Sequence, residues 1–258
     1  MRTLVVGAAI VDLMMKVERL PKSGEDIPCK ETKTVVGGCA YNVANTLRNL
    51  NCEHDLCVPV GSGSFADIIR RGMKEKGYEP MIEEPGEDNG YCLSLVEADG
   101  ERTFITNRNG SLWKENIEHV NFDKIKEAKI LSLASIFNCP LLDGKTLEKI
   151  FSFAKEHGMT ITADMIMPRL GETLDDIAGA LQYVDYFFPN YDEACLMTGE
   201  KDEAKVADKL FSYGIKNVVM KIGTRGCYIR NKDGVMIVPA CKGITAAHPE
   251  RGWFSAGL

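Results

Sequence analysis

The sequence lacks several features that would assign it at once. No block of basic residues occurs in its 258 positions, and 31 Lys and Arg against 37 Asp and Glu leave a net charge of -6. A phosphate backbone needs a basic face, so a nucleic-acid partner is excluded. No apolar run approaches the roughly 18 residues of a membrane span, and Met1 to Gly7 enters a strand pattern directly, so no membrane partner is expected. Nine cysteines are scattered without a C-x-x-C pair, which suggests neither a disulfide framework nor a zinc site and points to a reducing cytoplasm. The first strand does not lead into G-x-G-x-x-G; Gly7-Ala8-Ala9-Ile10-Val11-Asp12 stands there, which rules out a dinucleotide-dependent dehydrogenase. Internal repeats, low-complexity tracts and interdomain linkers are also missing, so residues 1–258 read as one domain.

With 45% hydrophobic residues the chain can bury a full core. Strand-like runs at Leu4–Ala8, Ile130–Ala134, Thr160–Ala163, Tyr186–Phe188 and Asn217–Ile222 are separated by helical patterns at Phe65–Lys76, Gly144–His157, Leu174–Leu181, Tyr191–Met197 and Glu203–Tyr213. This alternation predicts an α/β fold with a mainly parallel sheet covered on both faces and ligands at the carboxyl ends of its strands. Residues 11–36 and 89–107 break the alternation and read as short strands. The second stretch is a hairpin turning at Asp99-Gly100, so together they predict a small β lid over the sheet.

Gly37-Gly38 precedes a helix whose apolar residues Ala40, Val43, Ala44, Leu47 and Leu50 form one stripe, with Asn42 on its first turn. The pair allows close approach of backbone to a small polar ligand, and also fits a tight strand-to-helix turn. Asp12 is expected to follow the first strand at the ligand edge, where it could accept substrate hydroxyls or form a turn. Asp164 should follow the strand Thr160–Ala163. Asn190 and Glu193, three apart, form an N-cap and N3 pair that could also hold a hydrated magnesium ion. Lys221-Ile222-Gly223-Thr224-Arg225-Gly226 could bring backbone and a cation to phosphate, or form a hairpin.

In this order, Gly7, Asp12, Gly37-Gly38-x-x-x-Asn42, Asp99-Gly100-Glu101-Arg102-Thr103, Asp164, Asn190-x-x-Glu193 and Lys221-x-Gly223-x-x-Gly226 resemble the PfkB (ribokinase-like) carbohydrate kinase family. The phrases Gly37 to Asn42 and Asp88 to Leu93 are most similar to its bacterial sugar kinase branch. The resemblance implies a ribokinase-like three-layer α/β/α sandwich with a small lid, and ATP-dependent phosphorylation of a sugar hydroxyl. It places Asp12, Gly37, Gly38 and Asn42 against the sugar and Asn190, Lys221, Gly223 and Gly226 against the nucleotide. Glu193 would serve Mg2+ through water, and the lid could join a homodimer. A nucleoside is the alternative substrate.

The resemblance breaks near the C-terminal end. The family signature D-T-x-G-A-G-D, which supplies an anion hole and the catalytic aspartate, is expected soon after Thr245. Residues 246–258 hold no aspartate, and Gly252 stands near the expected position. A scrambled or truncated signature would remove the C-terminal helices and leave an impaired kinase. The competing expectation is a non-catalytic sugar-binding or regulatory protein on the same scaffold.

Overall fold

The computed structural model describes residues 1–79, 82–107 and 120–241. The region of the expected C-terminal signature, including Gly252, lies outside the described residues. The chain runs through β1 (Thr3–Val6), β2 (Ile10–Lys16), β3 (Glu31–Gly37), α1 (Cys39–Asn49), β4 (His54–Cys57), β5 (Pro59–Val60) and α2 (Ser64–Glu75). Then come β6 (Ile82–Glu83), β7 (Tyr91–Val96), β8 (Arg102–Thr106), α3 (Phe122–Glu127), β9 (Ile130–Ile136), α4 (Gly144–Glu156) and β10 (Thr160–Met165). The described part continues with α5 (Ala178–Leu181), β11 (Tyr186–Phe187), α6 (Tyr191–Thr198), α7 (Glu203–Ser212), β12 (Asn217–Lys221), β13 (Cys227–Asn231) and β14 (Gly234–Val238).

Among the described residues, eight strands form the central sheet in the order β14-β13-β12-β11-β10-β9-β1-β4. The strands from β12 to β4 run parallel, and β13 and β14 return antiparallel, as the Gly223–Gly226 turn requires. β1 is buried on both faces, and its side chains alternate between two cores. Leu4 and Val6 join the cluster of Ile150, Phe151 and Leu210 under α4 and α7, while Val5 joins Ala40, Ala44, Ile69 and Met73 under α1 and α2. Period-two alternation places the sheet between two apolar layers.

A second sheet, β3-β2-β7-β8, forms the lid. β7 and β8 have the bounds expected from sequence, Tyr91–Val96 and Arg102–Thr106. β2 and β3 pair over seven residues, Ile10 with Gly37 through Lys16 with Glu31. β7 and β8 form the predicted hairpin, with Glu101 N–H donating to Asp99 Oδ1 at 3.0 Å and Gly100 at φ +90°. Asp12 follows β1, as expected, and lies within β2 in the expected lid segment 11–36, because β1 ends at Val6 and the chain enters the lid by Ile10. Asp164 likewise lies within β10, which extends to Met165 beside the longer β9.

The structure also corrects the stripe on α1. Leu50 is the C-cap and is 66% exposed, whereas Tyr41 is buried and donates to Gly72 O at 3.2 Å. The helix ends one residue too early for Leu50 to reach the core. Expected cover on both sheet faces is incomplete among the described residues. Beside α1, a groove of about 410 Å³ remains between Val43 and Leu47 on one side and Ile130, Ser132 and Val219 on the other.

Apart from α5, which starts on Ile177 without a side-chain cap, helix starts fall into two groups. α3, α4, α6 and α7 begin on Asn121, Asp143, Asn190 and Asp202, each side chain accepting an N–H of the first turn. α1 and α2 begin on Gly38 and Gly63, with no cap from their own N-cap side chain. Both glycine-started helices adjoin the lid.

Candidate functional site

Asp12 is the centre of the lid half. It pairs with Val35 on β3 and Cys92 on β7, and its side chain is buried. Its Oδ1 has no hydrogen-bond partner among the described residues. Burial without a compensating donor raises this carboxyl from 3.8 to about 7. A carboxylate this poorly satisfied is suited to receive hydroxyl donors from outside the chain.

The glycine pair is explained by the same carboxylate. A Cβ on Gly37 would overlap Asp12 Oδ2, so glycine lets the acid lie against β3. Gly38 has φ +99°, and a Cβ there would come within 2.5 Å of Ala8 O and 2.9 Å of Ala9 Cα. The room made by both glycines is thus taken by the chain's own atoms, which brings β2 and its approach onto the start of α1. Asn42 follows on the first turn, half-buried, its N–H donating to Gly38 O at 3.0 Å.

The sheet-edge half gathers at the carboxyl ends of β9, β10 and β12. Asp164 Oδ1 accepts the Ser135 N–H at 2.5 Å. Burial raises its pKa, while Lys221 and that N–H oppose the rise. Ser135 and Phe137 sit at φ +69° and +72°, a left-handed conformation costly for non-glycine residues, where β9 delivers the N–H to Asp164.

Asn190 and Glu193 form a reciprocal capping box. Asn190 Oδ1 accepts the Glu193 N–H at 2.8 Å, and Glu193 Oε2 accepts the Asn190 N–H at 3.4 Å. Burial raises the Glu193 carboxyl, Asp164 adds to the rise, and the Asn190 N–H and Lys221 lower it. Lys221 is buried at the end of β12 and bridges to Asn190, its N–H donating to Pro189 O at 2.9 Å. Asp164 and Lys221 both line the groove beside α1. Two carboxyls and one ammonium therefore share a low-dielectric sheet edge.

Gly223 and Gly226 form the turn after Lys221, with Gly226 N–H donating to Gly223 O at 3.0 Å. Gly223 has φ +63° and open space beside it. At Gly226, with φ +102°, a Cβ would overlap Val238 O and lie 2.6 Å from Ala240 N, so packing against the end of β14 accounts for glycine there.

Cys39, the first residue of α1, links the halves. Burial raises its thiol to about 11, and Asp164, Arg169 and Glu193 all act on it electrostatically, with Ser135 as a side-chain partner. Arg169 also acts on Cys92, the cross-strand neighbour of Asp12. Sequence reasoning missed Cys39, Ser135 and Arg169 as participants in this region. Arg169 had the one available signal, a cation five residues after Asp164.

Among the described residues, no group of three or more His, Cys, Asp or Glu is arranged to hold a metal ion. Asp164 and Glu193 lie near enough to influence one another, with Lys221 compensating part of their charge. This donor set suits an ion that keeps its own water better than one caged directly by protein.

Comparisons with known proteins bear on the fold and the family. An uncharacterized sugar kinase of Escherichia coli, YegV, is 44% identical over 103 residues, 40% of this chain and 32% of that protein. Ribokinase of Arabidopsis thaliana is 24% identical over 257 residues, covering 93% of this chain and 65% of that protein, so the chain spans less than two thirds of either relative. Among solved structures, ribokinase from Giardia lamblia superposes with a TM-score of 0.80 at 19% identity, over 95% of this chain and 78% of that one. Arabidopsis ribokinase complexed with ribose and ATP gives 0.76 at 21%, over 95% and 79%. These likenesses show the ribokinase-like α/β fold. Since the pattern of the pfkB family carbohydrate kinases matches residues 2–247, from β1 past the last strand, this chain belongs to that family.

Proposed function

We propose that this chain binds a small sugar between lid and core and that its site is organised for ATP-dependent phosphorylation of a sugar hydroxyl. The buried carboxylate of Asp12, whose Oδ1 lacks a donor among the described residues, carries this reading. In it, Asp12 accepts sugar hydroxyls, Gly37 and Gly38 hold that carboxylate against the start of α1, and Asn42 offers an amide beside it. Lys221 and the Gly223–Gly226 turn face the nucleotide, with Asn190 at its phosphate end and Glu193 orienting water on Mg2+. When bound, Mg-ATP supplies the phosphoryl group and neutralises the charge that develops on it.

Sugar kinases and ribokinases among the relatives support a carbohydrate over a nucleoside as substrate. Nine free cysteines favour a reducing compartment such as the cytoplasm. Phe104 and Ile105, about half exposed on the outer lid strand β8, favour a homodimer through the lid.

One observation favours a second reading, non-catalytic sugar binding or regulation. Residues 246–258 hold no aspartate to take the hydroxyl proton. Loss of a positioned base alone costs about 10²- to 10⁴-fold in rate.

Calorimetry with D-ribose, 2-deoxyribose, D-fructose and adenosine, with and without Mg-ATP, paired with assay of the phosphorylated product, tests both readings. Sugar binding with slow turnover is the expected result. Binding without any turnover selects the second reading, and no sugar binding by either wild type or Asp12→Asn overturns both.

A further inference from the structure

The lid joins the rest of the molecule where β1 passes into β2, where β3 passes into α1, and where residues 87–90 enter β7. At the last of these lies a buried polar side chain that the site itself does not use. Asn89 is 3% exposed. Its Oδ1 accepts the Gly61 N–H at 2.8 Å, and its Nδ2 donates to Pro59 O at 3.2 Å and Ala9 O at 3.5 Å. One amide thus ties three separate backbone segments: the root of β7, the β5–α2 connection and the approach to β2.

Asp88 beside it replaces the missing cap of α2. Its Oδ1 accepts the Ala66 N–H at 2.8 Å and its Oδ2 the Phe65 N–H at 3.3 Å, over Gly63, where a Cβ would lie 2.5 Å from the carboxylate carbon. The helix is therefore capped across space by the root of a lid strand. Two further contacts close the joint. Val11 N–H donates to Gly90 O at 3.1 Å, and the rings of Phe65 and Tyr91 lie 4.8 Å apart.

We propose that Asp88 and Asn89 form the hinge clamp of the lid, and that Asn89 is a positioning residue which sets how β2 carries Asp12 over the sugar. Its contacts differ in length. The 2.8 Å bond to Gly61 is firm, while the 3.5 Å contact to Ala9 is at the long limit and is the weaker of the two. Asn89 stands three residues before Cys92, the partner of Asp12 in the lid, so a loosened root shifts the carboxylate without removing any sugar contact. The affinity part of this inference rests on the sugar-binding reading above; the clamp itself does not.

Hydrogen exchange read by mass spectrometry on the full chain tests it, with Asn89→Asp as the principal variant and Asp88→Ala beside it. Asn89→Asp keeps the acceptor for Gly61 N–H and sets a carboxylate against the carbonyls of Pro59 and Ala9. Faster exchange in β2, β3, β7 and β8, with β1, β9 and α4 unchanged, is the expected result. For Asp88→Ala, faster exchange should extend into the first turn of α2. Exchange that rises uniformly, core and lid together, identifies a merely structural residue and overturns the proposal, as does lid exchange equal to wild type.

The second arm is D-ribose titration. A loss of affinity of about tenfold in Asn89→Asp is expected, the scale of one or two buried hydrogen bonds. If wild type binds none of D-ribose, 2-deoxyribose and D-fructose, the sugar reading fails while the exchange arm still decides the clamp. Wild-type affinity retained beside a loosened lid overturns the positioning role.

Discussion

The lid half and the sheet-edge half of the site treat buried charge in opposite ways. At the sheet edge, Asp164 accepts a backbone N–H, Glu193 closes a capping box with Asn190, and Lys221 lowers both carboxyls. In the lid, Asp12 is buried with an oxygen that no described group satisfies. The first half is partly compensated by its own chain, and the second keeps an oxygen that the described residues leave unsatisfied. In the proposed kinase site both would serve: a stable frame for phosphate, and a carboxylate whose interactions improve when the substrate arrives.

The glycines that shape the lid half offer the hardest way to break this comparison. Gly38→Ala puts a side chain at φ +99° within 2.5 Å of Ala8 O. We expect it to cost about 3 kcal/mol of stability, from backbone strain plus overpacking, read by urea unfolding. A cost within experimental error of zero would mean that α1 does not start against the β1–β2 connection.

Next in size is Asp12→Asn, which should weaken sugar binding by about 10- to 100-fold, the scale of hydrogen bonds to a charged acceptor, measured by calorimetry. It also carries a pH signature. The folded carboxyl is raised from 3.8 to about 7, so between those values the folded state holds a proton that the unfolded chain has released. Wild-type stability must then fall as pH rises through that window, relative to Asp12→Asn, because the charge is being forced into a buried site. Parallel stability curves for the two proteins from pH 4 to pH 7 would remove the unpaired acid. Sugar donors favour the ionised form, so binding should strengthen toward pH 7 and release a proton below it.

The sheet-edge half should respond less. Asn190→Ala removes one cap of α6 and should cost about 1 kcal/mol in chemical denaturation. Glu193→Gln keeps a side chain able to close the capping box and should change stability by less than about 0.5 kcal/mol, while weakening any response to Mg-ATP in thermal shift. A large stability loss from this last change would show that the charge, rather than the box, holds the edge together.

Much of the frame was legible because it repeats local signals. The runs around Val5, Leu131, Ile161 and Val218 are buried strands, and Asn190 with Glu193 announced a capping box that the structure contains. The turn at Asp99-Gly100 was equally readable, since glycine supplies the φ of +90° found there. Where reading failed, the cause was contact across the chain. Nothing local tells that Asp12, within the expected lid segment, lies between Val35 and Cys92, which are far along the sequence. The left-handed Ser135, the influence of Arg169 on Cys39, and Asp88 capping a helix that starts 24 residues earlier arise in the same way.

From sequence alone came the α/β class, the lid hairpin, the ordered motifs of a carbohydrate kinase and the lack of an aspartate in residues 246–258. The kinase motifs rest on a family resemblance; the rest depends on composition, periodicity and spacing, which are properties of neighbours in the chain. Only the tertiary structure decided that Gly37 is glycine to admit Asp12, that Gly226 is glycine to admit the end of β14, and that Asp12 Oδ1 finds no donor among the described residues while Asp164 and Glu193 do. Those outcomes depend on which backbone passes within a few ångströms of which side chain, and burial then sets the charge each group can hold.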